Sequence, residues 1–175
     1  LQRSLLTLVV AGGGSTGIQL ITEMRDFVHR FLVGHYRHID SSLVRIVLVQ
    51  EKEYVLEGMD PQLAAYALAC LRRKGIEVRL SSRVTAAGPD RIEINGQEVI
   101  PTHTLVWVAG VVANPVVANL PVDRDEIGRV IVNEYLELPG FPGVYALGDN
   151  AHWRDPRTGQ ALPLRAHIAV RQPRL

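Results

Sequence analysis

"LVVAGGGSTG", Leu8 to Gly17, places four glycines within six positions directly after an apolar run. Glycine is unfavourable inside a helix or a strand, so a cluster of it marks backbone that needs room or an unusual dihedral. Upstream, "LLTLVV" at Leu5 to Val10 has the length and continuous apolarity of a parallel strand buried on both faces. Downstream, Ile18, Ile21, Met24, Val28 and Phe31 recur at helical spacing and predict an amphipathic helix to about Leu32. After the polar "GHYRHIDSS", "VRIVLV" at Val44 to Val49 reads as a second buried strand, which completes a βαβ unit. In that setting Gly12, Gly14 and Gly17 fit G-x-G-x-x-G, with Gly13, Ser15 and Thr16 filling the spacing. Gly12 permits the tight turn, Gly14 admits a pyrophosphate to the backbone, and Gly17 allows close packing of the helix. The helix N-terminus meanwhile offers unpaired N–H groups to the anion.

The second strand of such a unit usually ends in an acidic residue that accepts hydrogen bonds from the adenosine ribose and repels a 2′-phosphate. Here the strand ends "VLVQEKE", and Gln50 takes that place. A neutral amide binds a hydroxyl but repels a phosphate far less, and Lys52 is near in sequence, so weak discrimination between NADH and NADPH is expected. The alternative is that Glu51 does the work after a shift of one residue, against the alternation of strand side chains.

Further along, Asp60-Pro61 is a helix start, and "QLAAYALACLRRK" runs to a stop at Gly75. Cys70 lies in its apolar part and reads as a small core residue. "IEVRL" is the next strand. "RIEINGQEVI" then offers two alternating runs around Asn95-Gly96, a strong hairpin signal, and "TLVWVAG" closes the unit as a buried strand ending at Ala109-Gly110. From Val111 the texture changes, with Pro115, Pro121, Pro139 and Pro142 breaking up short strands at "RVIVN" and "GVYALGD". The expected organisation is a dinucleotide-binding domain over 1–110 and a segment of a second domain over 111–175. The fold class is α/β: a Rossmann-like, doubly wound parallel sheet with an antiparallel hairpin insert, followed by part of another such domain.

Composition narrows the function. The 175 residues are 47% hydrophobic, with 19 Lys and Arg against 18 Asp and Glu, so a globular core is expected and no basic block suggests nucleic-acid binding. A single cysteine forms no internal disulfide, and no export signal opens the chain, so a reducing compartment is the default. The apolar runs fall short of the roughly 18 residues a membrane-spanning helix needs, and the chain reads as soluble. No metal-ligand spacing and no nucleophile elbow is present, which argues against metal hydrolysis and acyl transfer. The missing initiating Met and the abrupt close at "VRQPRL" suggest a piece of a longer protein.

The order "VVAGGGSTGIQL", "VRIVLVQEKEYVLEGMDPQLAAYALACLRRKGIEVRLSSRV", "TLVWVAGVVANP" and "GVYALGDNAHW" resembles the pyridine-nucleotide:flavin oxidoreductases, and among them the type II NADH:quinone oxidoreductases. The resemblance runs over essentially the whole chain. It implies FAD and NAD(P)H as cofactors, an NAD(P)H domain inserted in an FAD domain, and hydride transfer from nicotinamide to flavin with a quinone as acceptor. Catalysis of that kind needs no acid or base from the protein in its first step. The resemblance also implies that Ala109 and Gly110 line the cofactor passage, and that Gly148 approaches the flavin cofactor while Asp149 accepts hydrogen bonds from its ribityl or diphosphate region. It implies, too, a parent peripheral to the cytoplasmic side of a membrane and a homodimer as one assembly.

Four positions depart from the family's pattern. Gln19 stands where a glutamate is common, with Glu23 one turn later. Gln50 replaces the acid, as above. In the closing "LPLRAHIAVRQ", which resembles a helix lining the quinone pocket, His167 replaces a glutamine and Arg171 another amide, while Gln172 remains. His167 and Arg171, four apart, offer hydrogen bonds to a quinone carbonyl, and an exposed helix surface explains them equally well. His152 and Trp153 follow Asp149 closely and read as structural. Two other classes stay open: a flavin-linked reductase with a ferredoxin or disulfide acceptor, and a dinucleotide-binding module without catalysis.

Overall fold

The computed structural model describes residues 2–36, 40–162, 164 and 166–172. It divides into two compact units, Leu1–Ala109 and Gly110–Leu175.

The first unit opens with the short helix α1 (Gln2–Leu5) and strand β1 (Thr7–Ala11). The strand starts later than the apolar run suggests, because Leu5 closes α1 and is half exposed, while Thr7 is buried and its Oγ1 donates to the Arg3 carbonyl. Helix α2 (Ser15–Phe27) continues through a π-helical stretch, Val28–Leu32, into α3 (Val33–His35), so the expected helix exists but widens by one turn near its end. Strand β2 (Arg45–Val49), helix α4 (Pro61–Arg73) and strand β3 (Glu77–Arg79) follow. Cys70 on α4 is half-buried and free, and it accepts a contact from Arg73 Nη2 at 3.1 Å.

Three strands then make an antiparallel sheet: β4 (Val84–Ala87), β5 (Arg91–Ile94) and β6 (Glu98–Pro101). The β5–β6 hairpin turns at Asn95-Gly96 as expected, with left-handed φ of 53° and 69° and a Gln97 N–H to Ile94 carbonyl bond. Strand β4 has no counterpart in the sequence pattern. It is largely exposed, and its register shifts between Val84 and Ala86, which erases the alternation that marks a strand in sequence. Strand β7 (Thr104–Trp107) returns to the first sheet.

That first sheet has the order β3-β2-β1-β7, all parallel, with Val9 opposite Val47 and Leu105. Alternation divides its side chains between two cores. Val10, Ile46 and Leu48 pack against Ile21 of α2 and Leu71 of α4, and Val9, Val47 and Val49 pack against Ile92, Ile94 and Ile100 of the antiparallel sheet. Helices thus cover one face and the insert covers the other. Thr102, also buried, ties the two sheets together by donating to the Thr7 carbonyl at 2.6 Å.

In the second unit, strands β8 (Val130–Ile131) and β9 (Ala151–His152) pair in parallel, and helix α5 (Ala166–Arg171) lies near the end of the chain. "RVIVN" forms only the two-residue β8, and "GVYALGD" makes a single bridge, Tyr145 with Glu137, rather than a strand ladder. Val144, Tyr145 and Leu147 are exposed, and no neighbouring strand among the described residues pairs with that run to complete a ladder. Val130, Val132, Leu136, Leu138, Ala151 and Trp153 form this unit's own core.

Candidate functional site

The glycine loop joins the C-terminal end of β1 to the start of α2. Gly12, Gly13 and Gly17 are buried, whereas Gly14, Ser15 and Thr16 form an exposed lip. Gly12 has φ +118°, and a Cβ there would lie 2.7 Å from the Val108 carbonyl oxygen; a Cβ on Gly17 would lie 1.8 Å from the Gly12 carbonyl oxygen. Both are glycine because the protein's own backbone leaves no room. Gly14 differs: its φ is −74° and nothing stands within 4 Å of a Cβ built on it. The protein does not fill the space in front of Gly14. No side chain caps α2, and its first helical bond runs from the Ile18 N–H to the Gly14 carbonyl, so the N–H groups of Ser15, Thr16 and Gly17 have no partner within the helix. An exposed lip of unpaired donors at the positive end of a helix, with open space above Gly14, fits a diphosphate.

Gln50 sits behind this loop. It is buried, its Oε1 accepts the Gly13 N–H at 2.8 Å, and its Nε2 donates to the Tyr54 carbonyl at 3.2 Å. Both polar atoms therefore bond within the protein. Glu51, by contrast, is 61% exposed and lies 3.9 Å from Arg83 Nη1. Backbone bonds from Ser82 N–H to the Gln50 carbonyl and from Ser81 N–H to the Lys52 carbonyl hold the 50–52 and 81–83 segments side by side. Arg83 was missed in the sequence because it follows β3, some thirty positions from Gln50. Tertiary pairing brings it to Glu51.

Ala109 closes the first unit and Gly110 opens the second, both exposed, with Gly110 at φ +103°. Gly148 has φ +65°, and its N–H donates to Gln172 Oε1 at 2.6 Å. Gln172 is 4% exposed and faces Gly148, whereas Arg171 is exposed. His167 falls on α5, and its side chain lies outside the described residues. Asp149 is exposed, and its carboxylate accepts no hydrogen bond from the described residues, so it is open to an outside donor.

Beside them lies a partly buried polar cluster. Asp125 Oδ2 accepts from Arg129 Nε at 2.6 Å and lies 2.9 Å from His152 Nδ1, and Asp125 Oδ1 accepts the Ile127 and Arg129 N–H groups. Arg129 Nη1 reaches the Leu162 carbonyl. Burial pushes the Asp125 carboxyl up, but the bonds from His152 and Arg129 outweigh it and bring it down to about 2. His152 and Trp153, whose Nε1 donates to the Glu134 carbonyl, thus both bond within the protein.

No helix among the described residues is long and apolar enough to cross a membrane, and no group of three or more His, Cys, Asp or Glu among them is placed to hold a metal ion.

Comparison with known proteins agrees with this geometry. Over 171 residues the chain is 31% identical to the internal alternative NAD(P)H-ubiquinone oxidoreductase A1, mitochondrial, of Solanum tuberosum, covering 98% of this chain and 34% of the relative. It is 34% identical over 155 residues to the type II NADH:quinone oxidoreductase Ndh of Mycobacterium tuberculosis, covering 84% of this chain and 34% of the relative. The chain spans about a third of the length of these relatives. Among solved structures, NDH2 from Plasmodium falciparum in complex with NADH superposes with a TM-score of 0.77 at 21% identity, covering 86% of this chain and 33% of that one. A NAD-dependent persulfide reductase from A. fulgidus superposes with a TM-score of 0.75 at 20% identity, covering 96% and 29%. The family model described as pyridine nucleotide-disulphide oxidoreductase matches residues 1–172, and this chain belongs to that family.

Proposed function

We propose that residues 1–110 are the NAD(P)H-binding domain, and residues 111–175 a segment of the FAD-binding domain, of a flavin-dependent NAD(P)H:quinone oxidoreductase. The observation that carries this reading is Gly14, a glycine that the surrounding protein does not require, set among unpaired helix-terminal N–H groups. Donors of that kind bind the dinucleotide diphosphate through Gly14, Ser15 and Thr16, with Gly12, Gly13 and Gly17 shaping the loop. Glu51, Lys52 and Arg83 lie at the adenosine end. Their mixed charge predicts weak discrimination between NADH and NADPH.

In the second unit, Gly148 and Asp149 contact the flavin cofactor, with Asp149 accepting hydrogen bonds from its hydroxyls. Gln172 holds the Gly148 N–H, and His167 and Arg171 are the groups on α5 offered to a quinone carbonyl. The redox chemistry belongs to the cofactors when bound, a hydride from nicotinamide to flavin and two electrons onward to the quinone. The chain's own part is binding, orientation and exclusion of water. The names of the relatives support a quinone acceptor, and an apolar quinone supports a parent lying peripherally on a membrane.

Titration of NADH and NADPH into the chain tests the first half of this reading. The Gly12 to Gly17 amide resonances are expected to move, and a response confined to another surface overturns it. The second half is tested on the full-length parent loaded with FAD. NADH bleaching of the flavin followed by reoxidation with a soluble quinone supports it, and bleaching without reoxidation points instead to a ferredoxin or disulfide acceptor.

A further inference from the structure

One side chain and one backbone bond hold Gly13 of the glycine loop to the segment after β2. Gln50 Oε1 takes the Gly13 N–H at 2.8 Å, Gln50 Nε2 donates to the Tyr54 carbonyl at 3.2 Å, and the Gly13 carbonyl accepts the Leu56 N–H at 2.8 Å. Gly13 is therefore gripped on both sides by residues 50–56, and the grip is close: a Cβ on Gly13 would lie 3.0 Å from Gln50 Cγ and Cδ. Leu56 accepts its place in the circuit at φ +56°, a conformation a leucine rarely adopts, with Val55 and Leu56 buried in the helix-side core. The two bonds of Gln50 make opposite demands. A backbone N–H needs an acceptor and a carbonyl needs a donor, which one amide supplies in one orientation and an ionised carboxylate does not.

We propose that Gln50 is a positioning residue for dinucleotide binding, its amide locking Gly13 so that the N–H groups of Gly14 to Thr16 stay aimed at the diphosphate, rather than a group that recognises the adenosine ribose. This rests on the dinucleotide-binding reading above. It differs from that reading in a measurable way. A lock on the shared loop acts on the diphosphate that both nucleotides carry, whereas a ribose contact acts on the 2′ position where they differ.

The test titrates NADH and NADPH separately into the whole chain as wild type, Gln50→Ala and Gln50→Glu, with thermal melts to record folding. In Gln50→Ala, which adds no charge, loss of a buried hydrogen-bond partner is expected to weaken both nucleotides by the same factor, about tenfold, leaving their affinity ratio unchanged. In Gln50→Glu the affinity is expected to return as pH falls through the carboxyl's titration, relative to the wild type at each pH, because the protonated acid again offers both an acceptor and a donor. This rescue remains readable even where Gln50→Ala fails to fold. A Gln50→Glu protein that binds NADH more tightly and NADPH more weakly overturns the proposal in favour of ribose recognition, as does a folded Gln50→Ala protein that binds as the wild type does. Wild type binding neither nucleotide overturns the dinucleotide reading itself, and this inference with it.

Discussion

The glycines at 12, 14 and 17 share a motif but not a reason. Gly17→Ala would drive a Cβ to 1.8 Å from the Gly12 carbonyl oxygen, a backbone atom that cannot swing aside as a flexible side chain would. We expect this variant to lose on the order of 3 kcal/mol or more of stability, read as a large drop in Tm of the first unit. Gly14→Ala meets nothing, so its Tm should stay near wild type while NADH affinity falls by tenfold or more. A Gly14→Ala protein that binds NADH normally would show that no diphosphate comes close to that lip. In the second unit the sign of the pH effect is fixed by Asp125. Its carboxyl is about 2 folded against an ordinary 3.8, so the stabilisation is fully present above pH 4 and is lost as pH falls toward 2. Asp125→Asn should therefore cost about 2 kcal/mol near neutrality, more if Arg129 is left unpaired, and should flatten the acid limb of the stability curve between pH 4 and 2.

Helix α4 shows how far local chemistry reaches. Asp60 accepts the N–H groups of Gln62 and Leu63 at 2.8 and 3.2 Å, and Pro61 occupies the first helical position. At the other end Gly75, at φ +77°, donates to the Arg72 carbonyl, and Ile76 donates to that of Leu71, with Leu71 and Ile76 both buried. Each device lies within a few residues of the end it makes, which is why both ends were visible in "DPQLAAYALACLRRKG". Asp60→Ala should lower the stability of the first unit by about 1 kcal/mol, measured by denaturant titration, without altering nucleotide affinity at saturation. Strand β4 and the "GVYALGD" run escape local patterning for the converse reason. An exposed strand with a register shift carries no alternation, and an apolar run of strand length forms a ladder only beside a partner.

The two units carry separate cores, one pair of layers around the parallel sheet and one cluster around Val130 and Trp153. Residues 1–109 alone should therefore fold with a cooperative thermal transition and bind NADH as the whole chain does; a molten, non-cooperative product would show that residues beyond Ala109 complete its core. Short-range chemistry was enough to place the βαβ unit, the glycine loop, the α4 caps and the Asn95-Gly96 turn, because each depends on residues a few positions apart. Folding decided the rest. The engagement of Gln50 by Gly13, 37 positions away, the meeting of Asp125 with His152 across 27, and the seat of Gln172 under Gly148 across 24 are set by distances in space. No pattern of neighbours along a chain records such distances, since a buried polar group is partnered by whatever the packed layers bring to it.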